Sequence, residues 1–271
     1  PNYFALALSG DAKALQRFED DMKAMQEKRA ALLASHGYPA DYTLPHYACE
    51  ACGDTGYVNC VMCSCMKRDL ILAGYASSGL GNLLREQSFD NFDLDFYQKD
   101  AAAYAAMQSN VNVLRRFAET FDMDRRPDSF LLIGGTGLGK THLSTAVARC
   151  VLEKGYDVRY VTAINMLSDF ETKQFRNGTT EGEDPTVDYF ECDLLILDDL
   201  GTEMSNQFTV SCIYNVIDTR LNLGRPTIIN TNLNQNDLRT RYWDRVTSRL
   251  FGAYRPLLFR GTDVRIQKIS R

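Results

Sequence analysis

The stretch Leu131-Leu-Ile-Gly-Gly-Thr-Gly-Leu-Gly-Lys-Thr-His-Leu143 decides how this 271-residue chain is read. Within it, Gly134-x-x-x-x-Gly139-Lys140-Thr141 matches the Walker A pattern, with an apolar run before it and a helical run after. Its glycines let backbone N–H groups turn inward around phosphate oxygens with no Cβ in the way. The helix expected to begin near Lys140 aims the positive end of its dipole at the same spot. Lys140 is then placed to reach the β- and γ-phosphates of ATP, and Thr141 to offer its hydroxyl to Mg²⁺. The expected nucleotide loop is Gly134, Gly135, Thr136, Gly137, Leu138, Gly139, Lys140, Thr141 and His142. A glycine-rich turn that binds nothing is the competing reading, and the Lys-Thr pair between strand and helix argues against it.

Such a site needs a second half, a strand that ends in acid, and Leu194-Leu-Ile-Leu-Asp198-Asp199-Leu-Gly201 supplies one. Asp198 is assigned to the magnesium shell and Asp199 to polarising an attacking water. Many ATPases of this class carry Glu at the second position, so the shorter Asp199 points to slow or partner-stimulated hydrolysis. Pro226-Thr-Ile-Ile-Asn-Thr-Asn232 is another strand with a polar end, where Asn232 either meets the γ-phosphate or lytic water or simply closes a turn. Arg245 and Arg249 stand at i, i+4 on a helical run. The pair serves either as a trans-acting arginine finger or as a solvated, salt-bridged face.

Around these landmarks, short apolar runs alternate with helical ones. Strands are expected at 130–133, 158–161, 194–197, 227–230 and 256–259, and helices near 140–153, 163–175, 206–222 and 237–251. That alternation means a parallel sheet covered by helices on both faces. Upstream, helices are expected over 10–35, 66–76 and 101–121, with a break at Gly79–Gly81 and an aromatic linker from Phe89 to Tyr97. The polar segment 176–185 reads as an exposed loop.

The net charge of −5 argues against coating nucleic acid by charge alone, while leaving a local basic groove open. No apolar run approaches the roughly 18 residues of a membrane span, and no signal-peptide pattern opens the chain. Five of the eight cysteines crowd between Cys49 and Cys65; Cys150, Cys192 and Cys212 are scattered in apolar stretches and read as small core residues. A nucleotide-binding loop implies the cytoplasm, where thiols stay reduced.

Cys49-x-x-Cys52 and Cys63-x-Cys65 place four soft thiolates within 17 residues, a donor set that suits tetrahedral Zn²⁺. Cys60, which forms a further Cys-x-x-Cys with Cys63, is a fifth candidate, and His46 a weaker one. Four thiolates leave no open coordination position, so the zinc is expected to be structural.

The order Walker A, Asp-Asp-Leu-Gly, Thr-Asn-Leu and Ser-Arg-Leu resembles the AAA+ ATPases. More narrowly, it is similar to the bacterial helicase loaders of the DnaC/DnaI type and the related IstB transposition helpers. Phe89-Asp-Asn-Phe92 and Leu258-Phe-Arg-Gly-Thr-Asp-Val-Arg265 match the loader pattern on either side of the core. The resemblance implies a P-loop α/β fold without a C-terminal helical lid, since the chain stops at Arg271 soon after its last strand. It makes Asn232 the residue known as sensor 1, Arg249 the finger, with help from Arg245, and Arg265 sensor 2. It also selects Cys49, Cys52, Cys63 and Cys65 as the zinc ligands.

The resemblance implies three regions: a helical and zinc-binding front end over 1–80 that docks a helicase, a linker and helix over 81–127, and the ATPase core over 128–271. The implied function is ATP-driven loading of a hexameric, DnaB-type replicative helicase onto single-stranded DNA, with self-association through the ATP site. The rivals are a transposase-partner ATPase, against which the cysteine-rich front end speaks, and an ATP-sensing adaptor with little hydrolysis. A small-molecule kinase would want a lid and a substrate pocket that the sequence does not show.

Overall fold

Period-two alternation in the apolar runs and 3.6-residue periodicity between them produce the expected layers. The structure, a computed structural model, describes residues 12–39, 41–43, 45–77, 80–175 and 184–269. Two compact units result, 1–55 and 56–271. The first contains helix α1 (Ala12–Ser35), exposed along nearly all of its length.

The second unit opens with a hairpin, β1 (Tyr57–Val58) and β2 (Val61–Met62), turned by Asn59 and Cys60, both in the left-handed region. Helices α2 (Ser64–Ser77), α3 (Leu80–Glu86) and α4 (Ala101–Glu119) lead to strand β3 (Ser129–Ile133). Then follow α5 (Lys140–Glu153), β4 (Val158–Thr162), α6 (Ala163–Phe175), α7 (Val187–Glu191) and β5 (Leu194–Leu200). The chain continues through α8 (Gln207–Asn222), β6 (Thr227–Thr231), α9 (Gln235–Ala253), β7 (Tyr254–Leu258) and α10 (Val264–Ile269). Strands β3 to β7 form one parallel sheet in the order β4-β5-β6-β3-β7.

The alternation along each strand splits the core in two. Phe130, Leu132, Ile196 and Ile228 join Met107, Leu114, Leu143 and Val147 from α4 and α5. Their neighbours Leu131, Leu195, Leu197 and Ile229 join Met166, Ile213, Val216 and Val246 from α6, α8 and α9. Of the scattered cysteines, Cys192 and Cys212 are buried and Cys150 is half-buried. Among the described residues no helix is long and apolar enough to cross a membrane.

Three expectations need correction. The last strand starts at Tyr254, two residues early, because α9 runs straight into it and Tyr254 pairs with Ser129. Pro256 sits inside it, tolerated because an edge strand needs no inward N–H there. Helix α9 also starts earlier, at Gln235, where Asn234 and Asp237 form a capping box. Gly81 does not break the chain but lies inside α3; Gly79, and residues 176–183 of the expected polar loop, lie outside the described residues.

Arg220 is fully buried, at 0% exposure. It donates to the carbonyls of Tyr189, Cys192 and Pro226 and to the Thr227 hydroxyl, tying α7 and α8 to the start of β6. No other side chain offers donors in that fork. Arg220→Ala is expected to cost about 3 kcal/mol or more, since several buried carbonyls lose their partners at once. Arg220→Lys should recover little of it, and urea unfolding of both variants checks this.

Candidate functional site

Strand β3 hands its end to the loop, and Gly134 N donates to Thr231 O at 3.2 Å as pairing with β6 gives out. Gly137 (φ +70°) and Gly139 (φ +83°) then take left-handed backbone, turning successive N–H groups to one side. Gly134 is forced by crowding instead: a Cβ there would lie 2.5 Å from Phe259 O. Gly139 caps α5 without any side-chain bond, and the first bond of the helix ladder runs from Leu143 N to Gly139 O at 3.0 Å. The N–H groups of Lys140, Thr141 and His142 thus stand ahead of the helix ladder, as an anion site requires.

Lys140 is buried at 6% exposure, and its ammonium donates to Gly134 O (2.6 Å), Gly135 O (2.7 Å) and Asn232 Oδ1 (2.6 Å). All three of its protons are spent on neutral oxygens. Burial lowers its pKa to about 8, although Asp198 and Asp199 pull the other way; Arg265 adds to the lowering. The His142 ring turns away, bonding Ser88 O at 2.9 Å and lying edge-on to Phe92, so its contribution to the loop is through the backbone.

Asp198 is buried at the end of β5. Its carboxylate accepts from Tyr160 (2.5 Å, from β4), Asn230 (2.8 Å, from β6), Thr141 (3.1 Å, from α5) and the Asp199 N–H (3.0 Å). A regular strand would send Asp198 and Asp199 to opposite faces. Here the ladder shifts between Leu197 and Leu200 and Asp199 is left-handed (φ +54°), so both carboxylates act on Lys140. Burial, then the Asp198 charge, raises the Asp199 pKa.

Lys140, Thr141, Asp198, Asp199 and Asn232 therefore come together, and Arg265 is close enough to act on both Lys140 and Asp199. Arg249 does not join them. It lies on α9, half-exposed, in an ion pair with Asp218 of α8 at 2.7 Å, and Arg245 is exposed one turn earlier. Sequence reasoning missed Tyr160 and Asn230. The available signal was a polar Asn inside the apolar run of a central strand, where a buried amide must have a partner.

The donor set of Thr141 and Asp198 is all hard oxygen and fits Mg²⁺. The Sγ atoms of Cys49, Cys52, Cys63 and Cys65 lie within 4.8 Å of one another, a set compatible with zinc. The Asp54 carboxylate shapes the first turn by accepting from the N–H groups of Ala48 (3.0 Å) and Cys49 (2.8 Å). Cys60 is exposed at the hairpin tip, and neither it nor His46 belongs to the cluster found among the described residues.

A bound triphosphate favours the charged form of Lys140 and so raises its pKa above about 8. Binding then takes up a proton above pH 8, and affinity falls as pH climbs past that point, by at most about tenfold per unit. Below pH 8 this group contributes no slope. Nucleotide titrations between pH 7 and 9.5 check the sign; an affinity flat across that range contradicts it.

A profile of the family described as IstB-like ATP binding protein matches residues 82–249. Over 176 residues the chain is 28% identical to the replicative helicase loader DnaC of Escherichia coli strain K12, covering 64% of this chain and 66% of that protein. It is 27% identical over 173 residues to the uncharacterized protein YdaV of the same strain, covering 64% and 65%. The chain thus spans just under two thirds of these relatives' own length. Among solved structures, the DnaC helicase loader superposes with a TM-score of 0.51 at 23% identity, over 57% of this chain and 90% of that one. DnaI gives 0.53 at 18% identity, over 67% and 92%. These two show the fold, a parallel sheet covered by helices with a P-loop after β3, and the family profile spans more than half of the chain, which belongs to the IstB-like ATP-binding proteins.

Proposed function

We propose that this chain is an ATP-dependent loader of a hexameric, DnaB-type replicative helicase onto single-stranded DNA, acting in the cytoplasm. The observation that carries the reading is the convergence on Lys140 of its own loop, Asn232 and the two carboxylates of β5, in a chain similar to proteins named as helicase loaders. Loop carbonyls accept from the Lys140 ammonium, and an entering triphosphate would take over those N–H donors. Thr141 and Asp198 hold Mg²⁺, which supplies charge neutralisation at the phosphates. Asp199 orients the attacking water, Asn232 contacts the γ-phosphate region, and Arg265 adds positive charge from α10.

Arg249 acts on the nucleotide of a neighbouring subunit. Its exposure and its pairing with Asp218 of α8 support a role in trans, with Asp218 holding the guanidinium until a partner arrives. Self-association through the ATP site follows from that arrangement. The front end, 1–80, docks the helicase, the segment 81–127 connects, and 128–271 is the motor. Exposed Met22, Met25 and Leu32 on α1 support a docking role. Zn²⁺ on Cys49, Cys52, Cys63 and Cys65 holds the knuckle that follows.

Co-purification with a DnaB-type helicase, with and without MgATP, tests the reading directly; no retention under either condition refutes it. Arg249→Ala should leave nucleotide affinity within about twofold while stimulated hydrolysis falls by roughly a hundredfold or more, as for other trans arginines. Loss of nucleotide binding would instead place Arg249 in its own subunit's site. Metal analysis of the purified chain should find roughly one zinc per chain, retained in Cys60→Ser and lost in Cys63→Ser.

A further inference from the structure

The loop that follows Asp199 contains a second buried carboxylate, Glu203, at 5% exposure. Its Oε2 accepts from Gly201 N at 2.9 Å, and its Oε1 accepts from Arg241 Nε at 3.4 Å and from the Tyr242 hydroxyl. Arg241 also donates to the Glu203 carbonyl and receives a bond from the Ser205 hydroxyl on its own carbonyl, at 3.2 Å. Taking a carboxylate out of water costs several kcal/mol unless it is well paired, and here every donor comes from one of two places. One is the turn that carries Asp199; the other is α9.

The turn itself is tightly defined. Asp199 and Gly201 both have positive φ, +54° and +110°, and the Asp199 carbonyl accepts from Thr202 Oγ1 at 2.8 Å. A Cβ at Gly201 would strike Leu233, 2.6 Å away, so the turn cannot swing without moving its neighbours. On the other side, Arg241 and Tyr242 stand directly before Trp243, whose φ of +58° and ψ of 175° break α9 into two helical pieces. The second piece carries Arg245 and Arg249. A left-handed aromatic residue is costly and persists only where its surroundings hold it.

We propose that Glu203 is a positioning residue that couples the Asp199 turn to the kink in α9, so that nucleotide at the loop moves the helix bearing Arg245 and Arg249. Through Gly201 it feels where Asp199 stands; through Arg241 and Tyr242 it sets the kink. The inference rests on the ATP-driven reading above for what the movement achieves, but the movement itself needs only nucleotide binding. Reciprocity follows: a partner that engages the second half of α9 shifts the Asp199 turn by the same network.

Trp243 is the one tryptophan of the chain and is 55% exposed, which gives a built-in reporter at the kink. In the full-length wild type, addition of Mg²⁺ with a non-hydrolysable ATP analogue should change Trp243 emission. In Glu203→Gln the analogue should bind with a Kd within about twofold, yet the emission change should shrink by about fivefold or more. Tyr242→Phe, which removes one hydroxyl and keeps the ring, should give the same split if Glu203→Gln folds poorly. An emission change in both variants equal to that of the wild type overturns the proposal, as does a wild type whose Trp243 ignores bound nucleotide. Stimulated turnover, measured alongside, should fall about tenfold in Glu203→Gln at unchanged KM. A wild type that reports nucleotide through Trp243 but never hydrolyses ATP would leave this coupling standing and remove the ATPase reading instead.

Discussion

The Asp198 carboxylate is the group on which the rest depends. Buried at the end of a central strand, it would be prohibitively costly without donors, and it has four: Tyr160, Asn230, Thr141 and the Asp199 N–H. They come from β4, β6, the first turn of α5 and the next residue of β5 itself. Only a parallel sheet with β5 between β4 and β6 brings those ends to one edge, so strand order and site chemistry satisfy the same requirement.

The phosphate loop is braced from two further directions. From the upstream side, the Tyr97 hydroxyl donates to Leu138 O at 3.0 Å, and a Cβ at Gly139 would lie 2.6 Å from the Phe92 ring. From the downstream side, Phe259 O crowds Gly134, Val264 N donates to Gly137 O at 3.0 Å, and the Asp263 carboxylate packs against Gly137. The aromatic linker before the core and the segment after β7 are thus walls of one loop. Tyr97 stands 41 residues before Leu138, whereas Phe259 and Val264 follow the loop by more than a hundred residues, a gap that β3 closes by pairing with β7.

Buried polar groups recur wherever elements of the sheet's second face must hold a fixed relation. Arg220 binds α7 and α8 to β6 through carbonyls, without a carboxylate partner, whereas Glu203 binds the β5 turn to α9 through a paired charge. The first is a neutral-acceptor lock whose geometry has no reason to change. The second joins two segments that both carry left-handed non-glycine residues, Asp199 and Trp243. Strain at both ends of one hydrogen-bonded link is what separates a coupling element from a staple.

By itself the sequence determined the alternating architecture, the loop from Gly134 to Thr141, the acidic end of β5 and the cysteine spacing, because period, glycine placement and ligand interval are local properties of the chain. The boundaries of α5 and α6 were legible for the same reason, each set between a turn signal and a clear apolar rhythm. The tertiary structure alone decided that Tyr160 and Asn230 complete the site, that His142 faces Ser88, and that β7 begins at Tyr254. Those depend on which strands lie side by side and in what register. It also decided that Arg249 pairs with Asp218 and that Glu203 is buried rather than solvated. A charged residue reads the same in a sequence whether water or a tyrosine hydroxyl faces it; only the packed neighbours choose.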